Sequence, residues 1–332
     1  MNILITGAGG FIGSHLVDSQ LEKGYFVRAV DLNLDRLKHV KDHPHLEAIC
    51  VDITHEELVR QLTADIDVVY HLASAHLDVR DSEEHYRQVN VYATMCLLES
   101  AQHAGVKRFV HCSSVGVMGD VENPPADETA ECHPVNIYGR TKLEGELAVL
   151  EFFRKTGYPL VVVRPAWVYG PRCPRTEKLI RTISKGRFPI FGNGTNLRHP
   201  IYISDAIDAL ERCASAKKIA GEVFIIAGNT PMQSKEMIKV ISEEMGVKPP
   251  KLHLPLVIGI LAGYALELSF KSLGKQPPFS RRSLEFFLDN NAYSIEKAEQ
   301  ALDFHPQVDL RTGVQKTIQW NHSYMGSTKN NG

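Results

Sequence analysis

The stretch NILITGAGGFIGSHL, beginning at Asn2, constrains this chain most, because it sets Gly7, Gly10 and Gly13 between a short apolar run and an amphipathic one. Residues 2–6 read as a buried parallel strand. The glycines permit a tight turn and let a pyrophosphate approach the backbone, and Gly13 lets the next helix lie close to the sheet. Free N–H groups at that helix start, together with its dipole, form an anion site that needs no basic side chain. Alone, a glycine triplet is an ordinary turn; the flanking strand and helix make it a dinucleotide site. A second strand, 26–30, ends in Asp31, about twenty residues on, where a carboxylate accepts hydrogen bonds from adenosine ribose hydroxyls. Such an acid repels a ribose phosphate, so NAD is expected rather than NADP, with Arg28 and Arg36 as the opposing consideration.

At 332 residues with 43% apolar content, the chain exceeds a single core and should form two lobes. Its net charge of −2 leaves no basic footprint, which argues against nucleic acid as a partner. Six cysteines without a CxxC pair, and a first strand that leaves no room for a leader, lead to the expectation of a cytoplasmic protein. His39, His43 and His45 lack metal-ligand spacing and read as a solvated helix end, so no metal is expected. Residues 254–266 carry no charge, yet the run is shorter than the ~20 residues that span a bilayer. No transmembrane segment is therefore expected. A core or substrate-pocket helix is the plain reading; an interfacial helix or a lid over an apolar substrate is the other, which keeps peripheral membrane contact open.

Strand-like runs at 47–51, 67–72, 108–112 and 160–164 alternate with helical patterns, the longest being 82–104 and 138–155. That order specifies an α/β protein with a doubly wound parallel sheet. After Pro165 glycine and proline crowd the chain through 169–200, and the strand-like 222–228 should return to the sheet. The expected division is a dinucleotide-binding domain over 1–165, rejoined by 201–227. A smaller, discontinuous substrate lobe takes 166–200 and 228–322, and a frayed tail 323–332.

Tyr138 and Lys142 are four residues apart at a helix start, so their side chains share a face. A lysine ammonium beside a phenol favours the phenolate, bringing a group of intrinsic pKa about 10 toward working range. Tyr138 can then take or return a hydroxyl proton as hydride moves. The same spacing recurs at Tyr293 and Lys297, away from any cofactor signal, and reads as accidental. Ser114, after the strand 108–112, would donate a hydrogen bond to the substrate oxygen. A serine–histidine–acid hydrolase, with His111 or His133, lacks a GxSxG elbow.

Together these residues resemble the extended short-chain dehydrogenase/reductase family, also called the NAD-dependent epimerase/dehydratase family. The resemblance runs over nearly the whole chain, through TGAGGFIG, Asp31, Asp52-Ile53, HLAS, VNVYAT, CSSVGVMG, NIYGRTK, RPAWVYGP, RHPIYISD and KAEQALDFHP. It implies a Rossmann-type fold and NAD contacts from Gly7, Gly10, Phe11, Ile12, Gly13, Asp31, Asp52, Ile53, Leu72, Ala73, Ser74, Asn90, Tyr138, Lys142 and Pro165. It implies that Ser114, Tyr138 and Lys142 carry the chemistry, that Ser114, Val115 and Arg198 meet a small-molecule substrate, and that the two long helices pair in a homodimer.

Within the family two branches compete. Arg198 in RHPIYISD sits where nucleotide-sugar epimerases grip the substrate diphosphate. LPLVIGILAGYALEL, PPFSRRSLEFF and NAYSIEKAEQAL instead resemble the 3β-hydroxysteroid dehydrogenase-like branch. Val115-Gly116 stand where sugar 4,6-dehydratases carry an Asp-Glu pair, which disfavours dehydration. The expectation is an NAD-dependent oxidoreductase of a secondary alcohol or ketone on a hydrophobic or lipid-like substrate. Nucleotide-sugar 4-epimerisation is the alternative, and a non-catalytic dinucleotide-binding module the remote one. Residues 170–200 and 249–280 should shape the pocket, with Cys173 and Arg172 candidates either to line it or to form a structural loop.

Overall fold

Alternation within the first strand sets the layers, because Ile3 and Ile5 are buried in one apolar cluster and Leu4 in another. The computed structural model describes residues 1–75, 82–186, 188–271 and 284–329. Seven strands form one sheet: β1 (Asn2–Thr6), β2 (Phe26–Asp31), β3 (Leu46–Cys50), β4 (Val68–His71), β5 (Arg108–Cys112), β6 (Leu160–Pro165) and β11 (Val223–Ile226). Their order is β11-β6-β5-β4-β1-β2-β3, and every neighbouring pair is parallel. The Rossmann-type sheet is thus as the sequence led us to expect. Progression reverses between β1 and β4, which opens a crevice beyond the carboxyl ends of these strands.

Helices α1 (Phe11–Glu22) and α7 (Ile203–Ser215) supply Leu16, Val17, Ala209 and Leu210 to the first cluster. On the other face lie α2 (Glu56–Leu62), α4 (Thr94–His103) and α5 (Ile137–Thr156), with Val59, Leu97, Leu98 and Val149. Ahead of α4, the short α3 (Glu83–Arg87) passes into a π turn, Gln88–Ala93. A Cβ on Gly145 of α5 would stand 2.2 Å from Asn90 O, so a glycine is needed where α5 crosses that turn.

Short elements make up the remainder. Between β6 and β11 come β7 (Trp167–Tyr169), α6 (Pro174–Ser184), β8 (Ile190–Phe191), β9 (Leu197–Arg198) and β10 (Pro200–Tyr202). After β11 come β12 (Met232–Gln233), α8 (Ser234–Glu244), β13 (His253–Leu254), α9 (Leu256–Lys271), α10 (Glu285–Leu288), α11 (Glu296–Leu302) and α12 (Leu310–Lys329). The backbone of α12 stays helical to Lys329, where the sequence reading has a frayed tail from 323.

The uncharged segment departs from its plain reading as a core helix. In α9, Val257 is 64% exposed, Leu261 65% and Leu268 63%. Gly259 and Gly263 are the buried positions. A Cβ on Gly259 would stand 2.7 Å from Leu284 Cδ2 and from Phe191 Cε1. The helix therefore docks on its smallest residues and turns its bulky ones outward. No described helix is long and apolar enough to cross a membrane.

Candidate active site

The first turn after β1 is built for close approach. Gly7 has φ +71°, and a Cβ there would meet Ala73 N at 2.6 Å; one on Gly13 would meet Gly7 O at 2.0 Å. No side chain caps α1, and its first turn carries no acid, so the leading N–H groups remain for an anion. Asp31, ending β2, accepts from Gly9 N at 2.9 Å and from Asn33 N at 3.1 Å. Gly9 lies outside the Gly7, Gly10 and Gly13 spacing, which gives no sign of its role. A Cβ on it would collide with Asn33 O at 1.7 Å. Of the two arginines weighed against NAD, Arg28 is bound to Glu47 and to the carbonyls of Leu62 and Ala64. Arg36 lies in the cavity wall and donates to Gly9 O at 3.0 Å.

A cavity of about 940 Å³ runs over this turn and along the strand ends. Its wall holds Gly7, Gly10, Phe11, Ile12, Gly13, Asp31, Asp52, Ile53, Leu72, Ala73, Ser74 and Pro165, and also Ser114, Val115, Tyr138, Lys142 and Arg198. Asn90 is outside it. Its Oδ1 accepts from Ser74 Oγ and Ala75 N, each at 2.9 Å, and its Nδ2 donates to Thr141 Oγ1 at 2.9 Å. The side chain is spent on tying the loop after β4 to α5, which leaves it a support behind the wall.

Ser114 follows β5, and its Oγ accepts from Gly116 N at 3.0 Å, while Asn136 caps α5 through Gly139 N at 2.9 Å. A Cβ on Gly139 would stand 2.5 Å from Gly116 O, and one on Gly116 would stand 3.3 Å from Ser114 Oγ and 3.7 Å from Tyr138 Cε1. Two glycines thus bring the serine turn against the helix that carries the tyrosine. Lys142, 2% exposed, donates from Nζ to Cys112 O at 2.6 Å, and burial pulls its pKa below the ordinary lysine value. One turn further along α5, Glu146 accepts from Ser113 Oγ at 2.6 Å and pairs with the buried Arg164. His111 and His133 are both absent from the wall. His111 is fully buried and kept neutral by that burial and by the Lys142 charge; His133 is exposed.

On the substrate side, Arg198 has its guanidinium 5.2 Å from the Phe286 ring centre, and its buried Nε has no partner among the described residues. His199 is a structural residue: its Nε2 donates to Gly228 O at 2.8 Å, and its Nδ1 accepts from Tyr293 N at 3.2 Å. Burial holds it at about 4. Tyr293 proves to line the cavity, with its ring stacked on His199. Its sequence partner Lys297 binds Glu222 at 2.8 Å instead, because Tyr293 precedes α11 and the two share no helix face. Cys173 is in the wall; Arg172 is not, being paired with Asp18 at 2.7 Å. Trp167, Glu285, Asp289 and Asn291 also line that side; three of them fall within segments quoted above for the resemblance, RPAWVYGP, PPFSRRSLEFF and NAYSIEKAEQAL, which do not single them out. Of the expected pocket segments, 272–280 lies outside the described residues. Among the described residues, no group of three or more His, Cys, Asp or Glu is arranged to hold a metal.

The glycine turn, the acid after β2 and the strand-end cavity together define an NAD-dependent enzyme of the extended short-chain dehydrogenase/reductase class. The chain belongs to the NAD dependent epimerase/dehydratase family, whose profile matches residues 3–227. It is 26% identical over 323 residues to N-acetyl-alpha-D-glucosaminyl-diphospho-ditrans,octacis-undecaprenol 4-epimerase of Escherichia coli O157:H7, covering 96% of this chain and 95% of that one. It is also 26% identical, over 332 residues, to the decarboxylating sterol-4-alpha-carboxylate 3-dehydrogenase of Mus musculus, covering 96% and 90%. Among solved structures, UDP-glucuronic acid 4-epimerase from Bacillus cereus in complex with NAD superposes with a TM-score of 0.79 at 28% identity, covering 96% of each chain.

Proposed function

We propose that this protein oxidises or reduces a secondary alcohol or ketone carried on an amphiphilic, lipid-like molecule. The observation that carries this reading is the approach of Ser114 to Tyr138 across Gly116, with Lys142 one turn behind and Arg198 in the same wall. NAD, when bound, accepts or returns the hydride of the alcohol carbon. The glycine turn and α1 N-terminus would hold its diphosphate, and Asp31 its adenosine ribose. Ser114 Oγ donates to the substrate oxygen and turns it toward Tyr138. Tyr138 takes the hydroxyl proton at its phenol oxygen during oxidation and gives it back during reduction. Lys142, charged and buried, favours the phenolate through that step.

Arg198 suits an anionic group on the substrate, and Trp167 with Val168 in the same wall an apolar body beside it. Both curated relatives are named for such amphiphiles: a diphospho-undecaprenol sugar and a sterol carboxylate. The unpartnered Nε of Arg198 equally suits a nucleotide diphosphate, so nucleotide-sugar 4-epimerisation is the second reading. Six free cysteines suit a reducing compartment, and exposed Tyr92 and Leu147, on the π turn and α5, suit a homodimer through those helices.

The test has two parts. Nucleotide released on denaturing the purified protein is quantified, and NADH formation is followed with 3β-hydroxysteroids and other apolar secondary alcohols against UDP-sugars. Empty protein that reduces NAD with an apolar alcohol supports the proposal. Near-stoichiometric retained NAD with UDP-sugar epimerisation replaces it with the second reading.

A further inference from the structure

We infer that α9 docks the protein on an anionic lipid surface, laying its outward face into the bilayer interface while Lys248 and Lys251 ahead of it meet the headgroups. At about 100° per residue, Val257, Leu261, Tyr264 and Leu268 fall on one stripe, flanked by Ile258 and Ile260. All six are between 41% and 65% exposed. Among residues 256–270 no charged residue shares their arc; Glu267, the one acid of the helix, lies at its edge, and the buried positions Gly259 and Gly263 lie on the opposite face. A contiguous apolar surface of this kind on a soluble fold marks an interaction site. At 16 residues, or roughly 24 Å, the helix is long enough to lie along an interface and too short to span one.

Charge selects the occupant. The residues just ahead of the helix, 245–255, contain Lys248 and Lys251 and no acid, in a chain whose net charge is −2. Lys248 and Lys251 are exposed just ahead of the helix. Two copies meeting through α9 would bring their Lys248 and Lys251 charges together, whereas an anionic bilayer complements both those charges and the apolar stripe.

The helix also adjoins the cavity. Beneath it, Phe191 packs on Phe287 at 5.8 Å, Phe287 on Phe286 at 4.9 Å, and Phe286 against Arg198 at 5.2 Å. An aromatic path thus joins the docking face to the anion-seeking arginine. The inference goes beyond the substrate reading, since the surface would dock whichever alcohol the site turns over.

Full-length protein is floated at low salt with phosphatidylcholine vesicles, with and without phosphatidylglycerol, beside a Val257→Gln/Leu261→Gln/Leu268→Gln variant and a Lys248→Glu/Lys251→Glu variant. Unchanged NADH affinity and melting midpoint establish that each variant is folded. The expected result is flotation with the phosphatidylglycerol vesicles, at least tenfold weaker in the triple variant, and weakened by the lysine changes and by added salt. Wild-type protein that stays unbound overturns the inference, as does a triple variant that floats equally well. Light scattering gives the third overturning result: an oligomer that the triple variant dissociates, which would assign the face to a second copy. Substrate assays in vesicle-free solution are scored separately, so failure of the proposed chemistry leaves flotation as an independent result.

Discussion

Lys142 Nζ donates to the carbonyl oxygen of Cys112 at 2.6 Å, which fixes a cation of α5 at the carboxyl end of β5, two residues before Ser114. The bond joins the two elements whose side chains must converge on one substrate oxygen. It also explains how a lysine sits at 2% exposure: the strand-end carbonyl is its anchor.

Removing the phenol oxygen should separate chemistry from binding. Tyr138→Phe is expected to lower kcat by about 10²- to 10⁴-fold, the range of a lost acid–base group. NADH affinity, read by fluorescence titration, should stay within about threefold, since the glycine turn and Asp31 are untouched.

Gly139 is where the serine turn and α5 meet. Gly139→Ala places a methyl 2.5 Å from Gly116 O, so helix and turn must part. We expect a loss of roughly 1–3 kcal/mol in urea denaturation, together with a fall in kcat larger than the fall in NADH affinity.

Glu146 is fully buried beside Arg164, and its Oε2 also accepts from Ser113 Oγ. Glu146→Ala would leave a buried guanidinium unpaired, a cost of about 3–5 kcal/mol. Adding Arg164→Met should recover part of that stability, which urea denaturation of the two variants will measure.

Asp31 accepts two backbone N–H bonds at the expected ribose position. Asp31→Asn should weaken NADH binding by about 10- to 100-fold, the worth of charge-assisted hydrogen bonds, and narrow the preference over NADPH, because Arg36 stays in the wall. Titration with both nucleotides checks it.

Three buried imidazoles, those of His71, His111 and His199, make the fold acid-sensitive. His199 is held at about 4 and His71 at about 3, each mainly by burial, against about 6.5 for a free histidine. Stability from burying the neutral rings is complete above pH 6.5 and drains away as pH falls toward those folded values, because the unfolded chain then binds the extra protons. The melting midpoint should fall between pH 6.5 and 4, and His199→Gln should flatten that slope.

The sheet was legible because its strands are short apolar runs punctuated by glycine and by Asp31, a pattern that buried parallel strands require. The glycine turn was legible because backbone geometry dictates glycine there, whereas Leu32, Asn33 and Val51 of the same wall carry no such constraint. Asn90 misled because a motif gives a position without a direction; its amide faces Ala75 and Thr141 rather than the cavity. Tyr293 misled in the opposite sense, since it reaches the cavity by tertiary contact with His199 rather than by helical spacing. For α9, periodicity could not separate an inward apolar face from an outward one, because the glycines that decide the matter sit among the aliphatic residues.

β11 pairs with β6 in parallel register, Val223 beside Val162, so the chain that leaves after Pro165 returns to the strand it left. Between them α7 packs on the sheet, while β7 to β10 and α6 form a detour hung from it, and lengthening a loop of that detour costs only loop-closure entropy, about 0.6 kcal/mol per doubling. Half of the substrate wall, including Trp167, Cys173 and Arg198, hangs on that detour. Specificity can therefore drift in this protein's lineage while the nucleotide half stands still.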